Sequence, residues 1–329
     1  MADTEQARAA AEPGPGRAAG PPPATGGPHA PAVSTSPDRE FTVKSRSQGQ
    51  LILRRFMAHR LAVASLILFF LIAAASLIGG RFWTWSYTEI TPEFSTPPSL
   101  AHPMGTDSIG HDVLALVLRG AQKSVQVALL VALLSTGFGT LLGAIAGYYR
   151  GWVDAALMRV TDIALTVPSL ALLAVLSAVL VEQSGSWVFV SIVIALLYWT
   201  TIARVVRGVF LSLREKEYVE AAKALGASDS RIIFRHLLPN TTGPIIVNAT
   251  VAVAVAILIE ASLSYLGIGI RPPDTSLGLL ISEGQQAATT RPWLFYFPGV
   301  FIILICLTVN FVGDGLRDAF DPQQTRVRA

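Results

Sequence analysis

Six stretches of this chain are apolar almost without interruption, at 61–78, 125–148, 163–181, 187–202, 245–259 and 293–312. Most approach the roughly 20 residues that a helix needs to cross about 30 Å of hydrocarbon. The fifth reaches that length once 240–243 and 261–266 are included. No barrel-type alternation of apolar and polar positions appears, and only helices or closed barrels satisfy a backbone in lipid. The pattern predicts an all-α, polytopic membrane protein of about six transmembrane helices. Between the fourth and fifth runs it breaks, because 204–240 is charged and small-residue-rich instead of apolar.

Composition agrees with lipid as the solvent. Of the 329 residues 52% are hydrophobic and only 14% charged, against about a quarter charged in soluble domains. Placing the N-terminus inside puts 20 of the 25 Lys and Arg residues on the cytoplasmic side and leaves Arg81, Arg119, Lys123, Arg271 and Arg291 outside. Cytoplasmic loops hold the excess of such residues, so both termini and the 204–240 loop are expected in the cytoplasm. The net charge of +3 then reflects topology, not nucleic-acid binding. The single cysteine, Cys306, lies in the last run and permits neither a disulfide framework nor a thiolate metal site.

Residues 1–50, rich in Ala, Pro and Gly, are expected to form a disordered cytoplasmic tail. Residues 51–121 hold the first span and an external loop, in which Thr106 or Asp107 is expected to cap a short surface helix within 105–120. The core transmembrane domain follows over 122–320, with the polar loop at 212–240 and a cytoplasmic tail at 321–329. Ser135, Gly139, Gly143 and Gly147 recur every fourth residue in the second span, a face that admits another helix backbone. Pro168 should kink the third span.

The polar loop reads as two short helices. Strong helix formers run from Arg214 to Leu225, with Val219, Ala222 and Leu225 on one side and Glu217, Glu220 and Lys223 on the other. Gly226 ends that helix. Ser228 or Asp229 can cap the next, which Pro239 is expected to stop. A short hinged helix of this kind can lay its apolar face into a partner's groove while its charges fix register.

At these residues the chain resembles the permease subunits of binding-protein-dependent ABC importers, whose signature is Glu-Ala-Ala, three residues, Gly, nine residues, Ile-x-Leu-Pro. Here it stands as Glu220-Ala221-Ala222, Gly226 and His236-Leu237-Leu238-Pro239, with His236 at the isoleucine position. Further matches to the peptide-importer branch are His102-Pro-Met-Gly-Thr-Asp107, Gly147-Tyr-Tyr-Arg-Gly-Trp-Val-Asp154, Glu260-Ala-Ser-Leu-Ser-Tyr-Leu-Gly267 and Arg317-Asp-Ala-Phe-Asp-Pro322. The likeness covers about 51–322. It implies a type I importer permease fold in a bacterial plasma membrane, paired with a homologous permease, two ATP-binding subunits and an extracytoplasmic substrate-binding protein. It implies that Glu220, Ala221, Ala222, Leu225, Gly226, Ala227, Arg231, Phe234 and His236 form the coupling element against an ATPase. Substrates of the family are mainly di- and oligopeptides, with nickel chelates and glutathione in relatives.

Each reading competes with a plainer one. Glu220 is either an ATPase contact or a solvated helix charge, and Asn248, Thr250 and Glu260 in the fifth span either line a hydrophilic path or bond between helices. His102, His111, Asp107 and Asp112 match no metal-ligand spacing, and no metal is expected. No G-x-x-x-x-G-K-[ST], H-E-x-x-H or G-x-S-x-G occurs. No cofactor is therefore expected in this chain, ATP and Mg being held by the partner ATPases, and the subunit is not expected to be an enzyme. A self-contained secondary transporter or channel is the alternative from another class; it calls for inverted repeats or paired intramembrane charges.

Overall fold

The computed structural model describes residues 48–179 and 185–321. The expected N-terminal tail lies outside them except for 48–50, as do residues 180–181 of the third apolar run and the C-terminal tail from 322. Apart from one bridge pairing Thr106 with Asp112, the described residues form helices and their connections.

A short amphipathic helix, α1 (Gln48–Ala58), precedes the first span, α2 (Arg60–Phe82). The helix therefore starts inside the expected tail. After the 83–112 loop come α3 (Val113–Tyr149), α4 (Gly151–Thr166), α5 (Ser169–Val179) and α6 (Trp187–Arg214). The polar loop holds α7 (Glu217–Ala224) and α8 (Asp229–Arg231), and α8 runs through a π-helical turn (Ile232–Leu237) into α9 (Leu238–Tyr265). A short α10 (Leu277–Gly284) and the last span, α11 (Trp293–Phe320), complete the bundle. Five of these courses are long and apolar enough to cross a membrane: α2, α3, α6, α8 through α9, and α11. The α4–α5 pair makes a sixth if its 81° bend is counted as one broken span.

The most extensive helix contact joins α3 to α6. An added Cβ would lie 2.6 Å from the Trp199 carbonyl oxygen at Gly139, 2.4 Å from that of Ala203 at Gly143, and 2.6 Å from Phe210 Cβ at Gly147. Only glycine admits these approaches. The four-residue spacing places one glycine per turn on the same face, so the two backbones stay close from one end of the seam to the other. Outside the seam, Leu133 and Leu141 of α3 stay exposed, as a lipid-facing stripe requires. Helices α9 and α11 pack beside this pair, and α2 closes on α11.

Two expectations are corrected by local physical causes, and a third is met in stronger form. The external helix is not a separate surface element. Asp112, not Thr106 or Asp107, is its N-cap, with Oδ1 accepting the Ala115 N–H at 2.8 Å. The buried stripe Val113, Val117, Ala121, Val125 and Ala128 then continues at helical spacing into the second span, so α3 is one helix of 37 residues. At the third span, Pro168 does more than kink. It forces the preceding Val167 out of the helical region (ψ 124°), and the chain turns by 81°. Pro239, in turn, does not stop the second loop helix. It occupies the first turn of α9, where a missing N–H is tolerated. The π turn hands the ladder on, with the Leu238 N–H bonding the Ile233 carbonyl five residues back.

Gly143→Leu is expected to lower stability by about 3 kcal/mol through overpacking against the α6 backbone. It should be seen as a drop in the thermal midpoint in detergent. Gly137→Ala, whose Cβ would meet nothing within 4 Å, should leave that midpoint unchanged or slightly raised.

Candidate functional site

The polar loop is closed by its own backbone. Gly226 adopts φ +78°, a left-handed conformation that side chains disfavour. The Gly226 N–H bonds the Lys223 carbonyl at 2.9 Å and the Ala227 N–H bonds that of Ala222 at 3.0 Å. This paired arrangement is the Schellman motif, which uses the last free carbonyls of a helix. Ala222 and Ala227 are half-buried and share that closing bond, with Ala227 packed on the bundle. Val219 is fully buried against the same cluster, among Tyr148, Val206, Phe210, Ile232 and Leu237.

The helix thus spends its expected apolar side on its own bundle, with one exception. Leu225, placed with Val219 and Ala222 by sequence periodicity, is 88% exposed. It follows the last helical residue as the C-cap, where the helical spacing has already ended. Glu220, Ala221, Gly226 and Arg231 are exposed as well, and Phe234 projects with 65% of its surface free. His236 is half-buried, and its carbonyl accepts the Asn240 side-chain amide at 2.6 Å. Of the nine predicted coupling residues, the structure therefore presents Glu220, Ala221, Leu225, Gly226, Arg231 and Phe234 on the surface, together with Tyr218. Ala222, Ala227 and His236 hold the loop's shape.

A polar base holds the loop, and of its members the sequence reading gave a role only to Asp229, as a possible helix cap. The Tyr148 hydroxyl donates to Asp229 Oδ1 at 2.6 Å, and Arg214 donates to the Tyr148 carbonyl. Arg150 pairs with Glu215, and Arg207 makes a two-pronged contact with Asp154 at 2.5 and 2.6 Å. The hydrogen bond and charge of Arg150 hold the exposed Glu215 carboxyl below the ordinary glutamate range. A lowered carboxylate pKa means the pair persists at neutral pH and is lost only as acid titrates through that lower value. Arg150 itself sits at φ 56°, ψ −163°, a region almost reserved for glycine that costs about 1–3 kcal/mol. The Gly147–Asp154 motif was a signal of importance, yet its partners lie 53 to 81 residues away.

At the opposite end, the loop between α2 and α3 is organised by two carboxylates. Asp112 receives the Trp83 indole N–H at 3.0 Å and pairs with His102 Nδ1 at 2.7 Å, while Trp85 stacks on that imidazole. Asp107 gathers three backbone N–H groups, from Ile109, Gly110 and His111, and pairs with His111 Nδ1 at 2.8 Å. Among the described residues no three His, Cys, Asp or Glu side chains converge as metal ligands. Arg119 and Lys123 of α3 both reach Asp274, at 2.7 Å each.

The three path candidates are not brought together. Asn248 donates to the Pro244 carbonyl of its own helix at 2.8 Å, and Thr250 donates to Val247 while lying against Gly313 of α11. Glu260 is fully buried, accepting the Ser124 hydroxyl of α3 at 2.9 Å and the Ser264 hydroxyl at 2.8 Å. Its carboxyl thus bonds a neighbouring helix, one of the readings open to it. Glu260→Gln should keep the bond to Ser124 or Ser264 and leave thermal stability nearly unchanged. Glu260→Ala should lower stability by about 2–4 kcal/mol, because it leaves a cavity and unpaired hydroxyls. Equal midpoints for the two variants would contradict this.

Comparison with known proteins gives the arrangement its relatives. Residues 139–326 match the family of binding-protein-dependent transport system inner membrane components. Residues 47–103 match the N-terminal transmembrane domain of oligopeptide transport permease C. The oligopeptide transport system permease protein OppC of Mycobacterium tuberculosis is 42% identical over 285 residues, covering 86% of this chain and 97% of that protein. OppC of Bacillus subtilis is 38% identical over 295 residues, covering 89% and 96%. A putative peptide permease of Brucella suis is 40% identical, covering 82% and 89%. Among solved structures, an inward-facing form of the MetNI methionine ABC transporter matches with TM-score 0.53 at 18% identity, over 63% of this chain and 96% of that one. That likeness supports the helical fold alone. With the family matched over more than half of its length, the chain belongs to the binding-protein-dependent permeases of ABC importers, in their OppC branch.

Proposed function

We propose that this subunit forms, with a homologous permease, the membrane path of a peptide importer, and that its α7–α8 loop receives the motion of a cytoplasmic ATPase. The observation that carries the reading is the loop itself: a Schellman-closed, charged helix between two spans, presenting Tyr218, Leu225 and Phe234 outward. Exposed aromatic and aliphatic side chains beside charges are how a short helix docks in a groove. The distribution of Lys and Arg supports a cytoplasmic position for this loop and for both termini in a bacterial plasma membrane. The names of the OppC relatives support di- and oligopeptides as the substrate class. ATP and Mg would be bound by two ATPase subunits, and substrate would be delivered by an extracytoplasmic binding protein.

The test is ATP-driven peptide uptake by the reconstituted complex. Glu220→Arg reverses a charge on the exposed helix face. Gly226→Pro removes a bonded N–H and cannot adopt φ +78°, destabilising the loop by more than about 1 kcal/mol. Both variants are expected to insert normally and to lose ATP-coupled uptake. Normal uptake by both, or uptake sustained by an ion gradient without any ATPase, would overturn the reading.

A further inference from the structure

At Tyr148 the end of α6 and both loop helices meet the end of α3. The residue is 5% exposed. Its hydroxyl donates to Asp229, the first residue of α8, at 2.6 Å. The Arg214 guanidinium, at the end of α6, lies 5.5 Å from its ring centre and also donates to its backbone carbonyl. Lys223 Nζ, in the last turn of α7, lies 6.0 Å from the same ring centre. Tyr149 meets the same ring edge-on. A helix leaves its last four carbonyls without partners of its own, and here Arg214 takes one of them. Main chain and side chain of Tyr148 are thus bonded to different elements.

The backbone at this point cannot slide on α6, because Gly147 holds Phe210 at a distance no side chain tolerates. The loop is tied to α3 differently, by a phenol–carboxylate hydrogen bond to α8 and a cation–ring contact from Lys223 of α7. A shift of α7 and α8 relative to the bundle must either break these contacts or carry α3 along. Because α3 is a single helix of 37 residues, about 55 Å at 1.5 Å per residue, any movement so transmitted reaches the Asp112–His102 pair at the other end.

We propose that Tyr148 is a positioning residue that passes loop movement to α3 through its bond to Asp229. This rests on the coupling role proposed above for the loop. The test uses the complete transporter with its ATPase subunits and binding protein in proteoliposomes, reading ATP hydrolysis and peptide uptake together. Tyr148→Phe removes only the hydroxyl. A hydrogen bond to a charged group is worth about 1.5–3 kcal/mol, so ATP hydrolysed per peptide taken up is expected to rise about tenfold or more. Asp229→Asn should act in the same direction. The double variant should be no worse than the more impaired single variant, since both remove one interaction. Tyr149→Phe should match the parent.

Unchanged uptake per ATP in Tyr148→Phe, additive effects of the two substitutions, or failure of Tyr148→Phe to assemble would each overturn the proposal. The last would show a merely structural role. Glu220→Arg and Gly226→Pro in the same preparation separate the two levels: if both take up peptide normally, the coupling reading itself fails, whereas normal Tyr148→Phe beside a dead Glu220→Arg removes only the role of Tyr148.

Discussion

The close approach of α3 and α6 is the constraint on which the rest of this bundle depends. In lipid, burying apolar surface between helices brings no hydrophobic gain, so association rests on packing and on hydrogen bonds. Glycines at 139, 143 and 147 let α3 lie directly on the α6 backbone. That contact fixes where α6 ends, at Arg214, and so fixes the point from which the polar loop departs. The same seam places Tyr148, next to the last glycine, under the loop. A wider spacing of the two helices would leave Val219 without the Tyr148, Val206 and Phe210 cluster that buries it.

Much of this was legible in the sequence because it depends on local periodicity. The apolar runs place the spans, and the four-residue glycine register marks a packing face whose partner proves to be α6. Gly226 after a short helix announces the left-handed cap that the backbone adopts. Periodicity also shows why the outer segment joins α3, since Val113, Val117 and Ala121 fall in register with Val125; placing a cap at Thr106 or Asp107 set a separate surface helix there and hid that continuity. Leu225 was misplaced for the opposite reason, because a periodic reading assumed helix where the cap had begun.

Long-range polar pairs were not legible. Tyr148 and Asp229 are 81 residues apart, Arg119 and Asp274 are 155 apart, and Ser124 and Glu260 are 136 apart. Nothing in the spacing of one partner names the other. A carboxylate near the end of a span signals that it needs a partner, but the partner is chosen by helix packing. Proline gave a similarly partial signal. Pro168 and Pro239 both interrupt the backbone ladder, yet one produces a sharp break and the other is absorbed by a π turn. The difference lies in what precedes them: Val167 is extended, whereas Ile232–Leu237 stays helical and widens.

These contacts divide the bundle into stiff and compliant parts. Rods such as α3 and α6 are locked by backbone-to-backbone contact, and the outer end of α3 is held by Arg119 and Lys123 on Asp274 and by the capped Asp112. The loop end is looser at two places. A Cβ at Gly226 would meet nothing within 4 Å, and the α3–α4 junction stores strain at Arg150 against an exposed pair with Glu215. Exposed ion pairs contribute little to stability, so that junction is free to change partners at small cost. Movement imposed on the loop would therefore be taken up at its base or delivered through Tyr148 to a helix too firmly packed to bend.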